Sequence, residues 1–188
     1  KVEQTIRYVH VYVKDQLSEI ELTEEMLANS FPTETSEGDH SFDNLWDNNT
    51  QTFWKSSWRK PVGADKKDAK YGVWLEIHLD SPISCFAFEY TTQDNHLPCN
   101  PAKLDIYVFN DETIPSDIQP IASYPTDGQT LPAPSGKGEF LSWTSPNISL
   151  NGSYKNIRIA IPKTIEREMK PNVGGWAGMS ELKIYGMK

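Results

Sequence analysis

Short runs in which apolar and polar residues alternate are spread along most of the chain. Every odd position of residues 73–79 is apolar, and Leu104, Ile106 and Val108 repeat the pattern further on. The same period of two recurs at Val9, Val11 and Val13, at Phe86, Phe88 and Tyr90, at Ile157, Ile159 and Ile161, and at Leu182 and Ile184. Strands with one apolar face typically cover one side of a core. The pattern predicts an all-β fold, an antiparallel β-sandwich.

The segments between these runs are long, polar and rich in turn-forming residues. Residues 110–139 alone contain five of the 13 prolines. Helical periodicity is weak: residues 18–28 have some helical character, but residues 26–31 could equally open the first strand of the sandwich. Many short strands joined by long connections are typical of sandwiches whose loops carry the function.

The first part of the chain differs from the rest. Residues 6–14 are predicted to form a strand, and the acidic residues 15–25 follow it. This part is either an extra edge strand or the remnant of a preceding domain. We therefore divide the 188 residues into an extension, 1–24, and one sandwich domain, 25–188, a length that suits a single core.

The charge excludes several classes of partner. A formal net charge of −8 argues against nucleic acid and against anionic membranes, both of which attract basic proteins. No apolar run approaches the roughly 18 residues that a membrane helix needs. The two cysteines lack the CxxC spacing of zinc sites, and two reduced thiols are favoured over a Cys85–Cys99 disulfide. The sequence also lacks GxSxG, HExxH and P-loop motifs, so we expect no enzyme.

Residues 44–52 are rich in the oxygen-bearing side chains that calcium prefers. The segment combines Asp47 with several asparagines and with threonines, and calcium takes about six to eight oxygen ligands. The glycine and the closing glutamate of an EF-hand are missing. From composition alone, a metal-free turn built on Asn and Asp remains the commoner explanation.

Three motifs in order carry a resemblance to a known family. Asp47, Asn49, Thr52 and Trp54 form the first. The second is Trp74-Leu75-Glu76-Ile77-His78-Leu79, and the third is Ser180-Glu181-Leu182-Lys183-Ile184-Tyr185-Gly186. Together they resemble the coagulation factor 5/8 type C, or discoidin, family, which includes the family 32 carbohydrate-binding modules. The resemblance covers residues 25–188 and implies a discoidin-like jelly roll, also described as a galactose-binding-domain-like fold.

The resemblance also implies a structural calcium ion. In calcium-binding members the matching positions would supply carboxylate oxygens from Asp47 and Glu181 and the hydroxyl and carbonyl of Thr52. The carbonyls of Asn44, Asn49 and Ser180 would complete the shell. Such an ion would join the first loop to the last strand, and it would stabilise the fold without taking part in chemistry.

The function implied by the resemblance is glycan binding. The chain would be a non-catalytic module of a larger secreted or surface protein, located outside the cell, on its surface or in the periplasm. The alternative is a discoidin domain that binds a protein or a phospholipid surface. A sequon at Asn48 falls inside the calcium loop, where an attached glycan would be awkward, and this favours a bacterial protein.

Three loops are candidates for the ligand site. The basic loop after Trp54 offers Lys55, Trp58 and Arg59, because an aromatic face can stack on a sugar ring and arginine can pair with a carboxylate or sulfate. The other two loops offer Gln93, Asn95, His96 and Trp176. An acidic glycan is therefore a candidate ligand.

Each of these residues also has a structural alternative. Trp58 and Arg59 could belong to a solvated charged loop, His96 could be a surface histidine, and Trp176 could be a lid over the core. Trp54 is predicted to be buried. Galactose-binding relatives often carry His at the position of Lys55 and Arg at that of Gln93, so galactose specificity does not follow.

Overall fold

The computed structural model describes residues 17–29, 38–57, 71–168 and 176–187. The predicted strand around Val9, Val11 and Val13 lies outside the described residues. The strands within these ranges are β1 (Ser18–Ile20), β2 (Leu27–Asn29), β3 (Trp54–Lys55), β4 (Val73–Thr91), β5 (Pro101–Phe109), β6 (Ala122–Tyr124), β7 (Ser142–Thr144), β8 (Ile148–Thr164), β9 (Gly178–Met179) and β10 (Glu181–Met187). Short 3-10 helices lie at Glu24–Met26, Phe42–Leu45 and Leu97–Cys99.

Two long strands, β4 and β8, pass through both layers of the sandwich. The first half of β4 pairs with β2 and with the second half of β8, which pairs with β5, and β5 pairs with β6. The second half of β4 pairs with β10 and β7, and β10 pairs with β1. The β4–β8 register shifts between His78 and Ile83 and again before Cys85. Such irregularities let a strand turn a corner from one sheet to the other.

Every described ladder is antiparallel, as the alternation predicts. The side chains at the odd positions of segment 73–79 pack in one core cluster. The other layer contributes apolar residues such as Phe88 and Ile184 to the same cluster. Val73, Leu75 and Ile77 are fully buried. The predicted antiparallel sandwich is confirmed, and within the segment predicted to open the first strand Leu27–Asn29 form β2.

The outer face of β4, β8 and β5 differs from the expectation of a polar, solvated surface. Trp74 is 7% exposed, and Tyr71 and Tyr107 pack beside it in a second cluster. Arg158 lies beneath these rings, with its guanidinium carbon 3.8 Å from the centre of a Trp74 ring. Both faces of this layer are therefore buried, because aromatic side chains and the loop bearing Ile114 and Ile118 cover it.

Three smaller points follow from the described residues. Ser18–Ile20, from the segment predicted to be an extension, pairs with Ile184–Gly186 of β10, and the division at residue 25 stays a prediction. Cys85 and Cys99 are not joined by a disulfide, as expected. Within the ranges described, no helix is long and apolar enough to cross a membrane.

Candidate functional site

Two segments far apart in sequence lie side by side at one end of the sandwich. Strand β3 pairs with β9, placing Trp54 opposite Met179 and Lys55 opposite Gly178. A Cβ added to Gly178 would lie 2.9 Å from the carbonyl oxygen of Trp54, so only glycine permits this approach. The pairing holds the loop of residues 44–52 next to residues 180–181.

The loop of residues 44–52 is organised around Asp47. One carboxylate oxygen of Asp47 accepts a hydrogen bond from the backbone amide of Asn49 at 2.8 Å, and the other lies 2.6 Å from the Thr52 hydroxyl. The same hydroxyl lies 2.7 Å from the Asn49 carbonyl oxygen. Asn48 adopts a φ of 57°, a left-handed conformation that asparagine tolerates. The loop thus gathers a carboxylate, a hydroxyl and a carbonyl.

The start of β10 reaches the same place. The Ser180 hydroxyl donates to the carbonyl of Thr50 at 3.1 Å. Glu181 is 6% exposed, and neither of its carboxylate oxygens has a hydrogen-bond partner among the described residues. We call Asp47, Asn49, Thr52, Ser180 and Glu181 the clasp.

Burial, and after it the negative charge of Asp47, raise the pKa of Glu181 to about 7. The backbone amides of Asn48 and Asn49 and the charge of Lys183 oppose this shift in pKa. The amides approach the carboxylate without reaching hydrogen-bond geometry. The clasp therefore holds two carboxylates that repel each other, and the buried one is only partly compensated.

The oxygen donors of the clasp fit a hard cation such as calcium. The structure brings together five of the six predicted metal positions around an unsatisfied carboxylate. Among the described residues, no group of three or more His, Cys, Asp or Glu side chains could hold a metal, so the other donors here would be hydroxyl and carbonyl oxygens. Calcium accepts that mixture, whereas zinc prefers nitrogen and sulfur. The side-chain amide of Asn44, the sixth position, donates to the carbonyls of Asp39 and Phe53, which fixes the loop.

Trp176 is the centre of a second group of predicted residues. Its ring centroid is 5.8 Å from that of His96, and the Lys55 ammonium lies 5.2 Å from the ring. The guanidinium of Arg167 lies 5.7 Å from the same ring. We call Lys55, His96, Arg167 and Trp176 the Trp176 cluster. Three groups that carry or can accept positive charge thus surround one indole in an acidic protein.

The members of this cluster differ in how far solvent reaches them. Lys55 is only 1% exposed, so its ammonium supports the indole from inside the protein. His96, Arg167 and Trp176 are partly exposed, and Asn95 is exposed. The side that faces solvent is therefore formed by an imidazole, a guanidinium and part of an indole.

Gln93 shapes the loop that carries His96. Its side-chain oxygen Oε1 accepts hydrogen bonds from the backbone amides of Asn95 and His96, at 2.8 and 2.7 Å, and its side-chain nitrogen Nε2 donates to the His96 carbonyl. Gln93 is 1% exposed, and Asn100 bonds to its backbone at both the amide and the carbonyl. All its polar groups are thus engaged in holding the loop.

Sequence reasoning missed Arg167. It follows the end of β8 in a turn closed by a bond from the Thr164 amide to the Arg167 carbonyl at 2.9 Å. The amides of Ile165 and Glu166 donate to the carbonyls of Asn100 and Pro98, which docks this turn on the His96 loop. One arginine in a turn-rich stretch gives no periodic or spacing signal. Only the docking of the two loops brings it to Trp176.

Solved structures of binding modules share this architecture. The model superposes with TM-score 0.52 on CBM32-3 from a family 31 glycoside hydrolase of Clostridium perfringens, at 16% identity over 92% of each chain. It superposes with the same TM-score, 0.52, on an F5/8 type C domain from Bacteroides fragilis, at 17% identity over 93% of this chain and 99% of that one. The chain has the discoidin fold. The CBM32-1 and CBM32-2 domains of Clostridium perfringens ZmpB in complex with GalNAc also share it (TM-score 0.51, 14% identity, 92% of this chain and 35% of that one).

No protein-family model and no curated protein matches the sequence. The predicted jelly roll is thus confirmed at the level of the discoidin fold.

Of the other predicted ligand residues, Trp58 and Arg59 lie outside the described residues. Trp54 is fully buried in the core, as predicted.

Proposed function

We propose that this discoidin-fold chain is a non-catalytic carbohydrate-binding module whose site is the Trp176 cluster. The observation that carries the proposal is the convergence of His96, Arg167 and Trp176 from three separate loops onto one partly exposed surface. An indole offers an apolar face for the C–H groups of a sugar ring. The surrounding planar polar groups can hydrogen-bond its hydroxyls.

The charge of the cluster supports an acidic glycan as the preferred ligand. Arg167 is cationic and partly exposed, and the cationic Lys55 lies buried against the indole. The Glu166 carboxylate lies 3.2 Å from Arg167, but both side chains remain partly exposed, so a ligand carboxylate or sulfate can compete for the guanidinium. The arginine would recognise the acidic group while the indole stacks on the ring.

The same proposal extends to the setting of the module. The structural neighbours include modules of a glycoside hydrolase and of a larger protein bound to GalNAc. We propose that this chain likewise delivers other domains of a bacterial protein to glycans outside the cytoplasm, at the cell surface, in the periplasm or in the medium. GalNAc-terminated glycans belong among the first ligands to test.

A glycan array with paired neutral and sialylated or sulfated glycans tests the proposal. We expect Trp176→Ala to lose binding to all ligands and Arg167→Gln to lose acidic ligands preferentially. Lys155→Gln, an exposed lysine on β8 away from the cluster, is the charge-matched control and should bind like the parent. Unchanged binding by Trp176→Ala would exclude this site, and binding to phospholipid vesicles without any glycan signal would favour the alternative function.

We also propose that the clasp binds a structural calcium ion. The support is the buried Glu181 carboxylate, which accepts no hydrogen bond and feels the charge of Asp47, together with the hydroxyl of Thr52 and the carbonyl of Asn49. A divalent cation would neutralise both carboxylates and so remove the electrostatic cost of burying Glu181.

A further inference from the structure

A second concave surface borders the clasp, where its lining includes Asn48 and Lys183 beside Glu181. It is a cavity of about 470 Å³ whose lining includes Trp46, Asn48, Glu19, Glu21, Leu182 and Lys183. We call it the Trp46 pocket. Its volume falls within the roughly 300–1,000 Å³ typical of small-molecule sites.

The pocket forms where an edge of the sheet opens. The pairing of β1 with β10 ends at Ile20 opposite Ile184, and the chain beyond Ile20 does not continue the ladder. Residues 182–183 of β10 therefore face the cavity between residues 19–22 and the loop of residues 46–48. The cavity therefore lies where the backbone pairing of β1 with β10 ends.

The lining combines an aromatic wall with exposed polar groups. Trp46 is half-buried and packs against the core cluster with part of its surface, which leaves the rest as one wall of the cavity. Glu19, Glu21 and Asn48 are exposed and Lys183 is partly exposed. Carboxylates accept hydrogen bonds from sugar hydroxyls, while the amide and the ammonium donate to them.

The charge of the lining selects among sugars. Two glutamates against one lysine leave a net negative wall, which repels carboxylates and sulfates. The Trp176 cluster has the opposite character, with cations around its indole. The two surfaces are therefore suited to different ligands.

We propose that the Trp46 pocket is a second carbohydrate site, which takes a pyranose without negative charge. The sugar stacks on Trp46, its hydroxyls bond to Glu19, Glu21 and Asn48, and acidic sugars are excluded. This site is distinct from the Trp176 cluster and does not depend on it.

Nuclear magnetic resonance tests the second site separately from the first. The probes are methyl β-galactoside, methyl α-mannoside and N-acetylglucosamine, titrated to about 10 mM, which suits millimolar dissociation constants. The protein carries Trp176→Ala so that the first site is disabled. We expect at least one probe to shift the Trp46 indole N–H and the amides of Asn48 and Lys183. Glucuronic acid should cause no such shift.

Pocket variants decide the assignment. Trp46→Ala should abolish the shifts, and Glu21→Ala should weaken the affinity at least tenfold without touching the core. Glu24→Ala, an exposed glutamate outside the lining, is the matched control and should behave like the parent. Absence of shifts with all three neutral probes, or equal affinity in Glu21→Ala and Glu24→Ala, would overturn the proposal. Either result leaves the glycan-array test of the Trp176 cluster intact.

Discussion

Glu181 is a buried carboxylate whose charge the described protein groups compensate only in part. A buried carboxylate without hydrogen bonds destabilises a fold unless it is protonated or meets a cation. We therefore expect Glu181→Gln to have opposite effects on the melting temperature in chelator and in calcium. In chelator it should raise the melting temperature. Calcium at about 100 times its dissociation constant should raise the melting temperature of the parent by roughly 5–10 °C. Glu181→Gln should lose most of this increase.

Differential scanning calorimetry with and without EDTA measures both effects. Glu112→Gln, an exposed glutamate, is the control and should keep the parent's full response to calcium. A parent whose melting temperature is the same in calcium and in EDTA would contradict the calcium proposal.

The raised pKa of Glu181 predicts how stability depends on pH. Between about 4.5 and about 7 the metal-free folded state holds a proton on Glu181 that the unfolded state has released. Because the folded state binds more protons, its free energy of unfolding falls as pH rises through this window. In EDTA we expect the melting temperature to decrease from pH 5 to pH 8 in the parent and to change less in Glu181→Gln. Equal slopes in the two proteins would refute this assignment.

Arg158 and Glu76 form a buried ion pair under the aromatic residues of the outer face. Two guanidinium nitrogens lie 2.6 Å from one oxygen of Glu76, and both side chains are at most 6% exposed. Arg158→Met would leave the buried carboxylate with only His78, whose Nε2 lies 3.3 Å from Oε1, and should cost about 3–5 kcal/mol in urea unfolding. The double change Glu76→Leu and Arg158→Met should recover most of that loss. Lys103→Met removes the exposed half of a 3.3 Å pair with the buried Asp105 and should cost less than Arg158→Met, because Ser123 still donates to that carboxylate at 2.6 Å.

Individual site residues could be predicted where a motif marked them and, for His96 and Trp176, where a polar loop carried an aromatic side chain. Asp47, Thr52 and Glu181 stood in recognisable positions, and the structure places them together. Lys55 and Gln93 were expected to face a ligand, yet both are buried, because tertiary contacts engage them. Arg167 had no local signal, since its partner Trp176 meets it only through the docking of two loops.

At the scale of elements, the β3–β9 pair controls the geometry between the clasp and the Trp176 cluster. Gly178→Ala would force a methyl group to within 2.9 Å of the Trp54 carbonyl, a backbone atom that cannot move without breaking the pair. We expect a loss of about 1–3 kcal/mol in stability and weaker glycan binding. Gly136→Ala meets nothing within 4 Å and should leave both unchanged. Normal calcium response and glycan binding in Gly178→Ala would show that the pair does not set this geometry.

The strands themselves were largely foreseeable from alternation. The core positions of β4, β5, β8 and β10 follow the period of two seen in the sequence. Two features were not foreseeable. Strand β4 runs for 19 residues through both layers, and its bend depends on register shifts against β8. The outer face of Trp74 and Arg158 is buried because a distant loop covers it, which alternation cannot reveal.

For the whole molecule, the clasp lies between two candidate sites. Chain segment 46–55 runs from the Trp46 pocket through the clasp to Lys55, and segment 176–183 makes the same passage from Trp176 to Lys183. Removal of calcium should therefore weaken ligand binding at both ends. Titrations of the glycan and of the neutral sugar, each repeated in EDTA, measure this effect. Unchanged affinities at both sites would mean that the clasp stabilises the fold without positioning the ligands.

The separation of the clasp's halves in sequence also matters during synthesis. Thr50 and Ser180 are 130 positions apart, so the loop and its partner strand meet only after nearly all of the described chain exists. Such a long-range contact cannot help early steps of folding. The proposed ion would therefore bind only chains made through Glu181, and a prematurely terminated chain would gain nothing from calcium. Calcium binding would thereby distinguish chains that reach Glu181 from shorter ones.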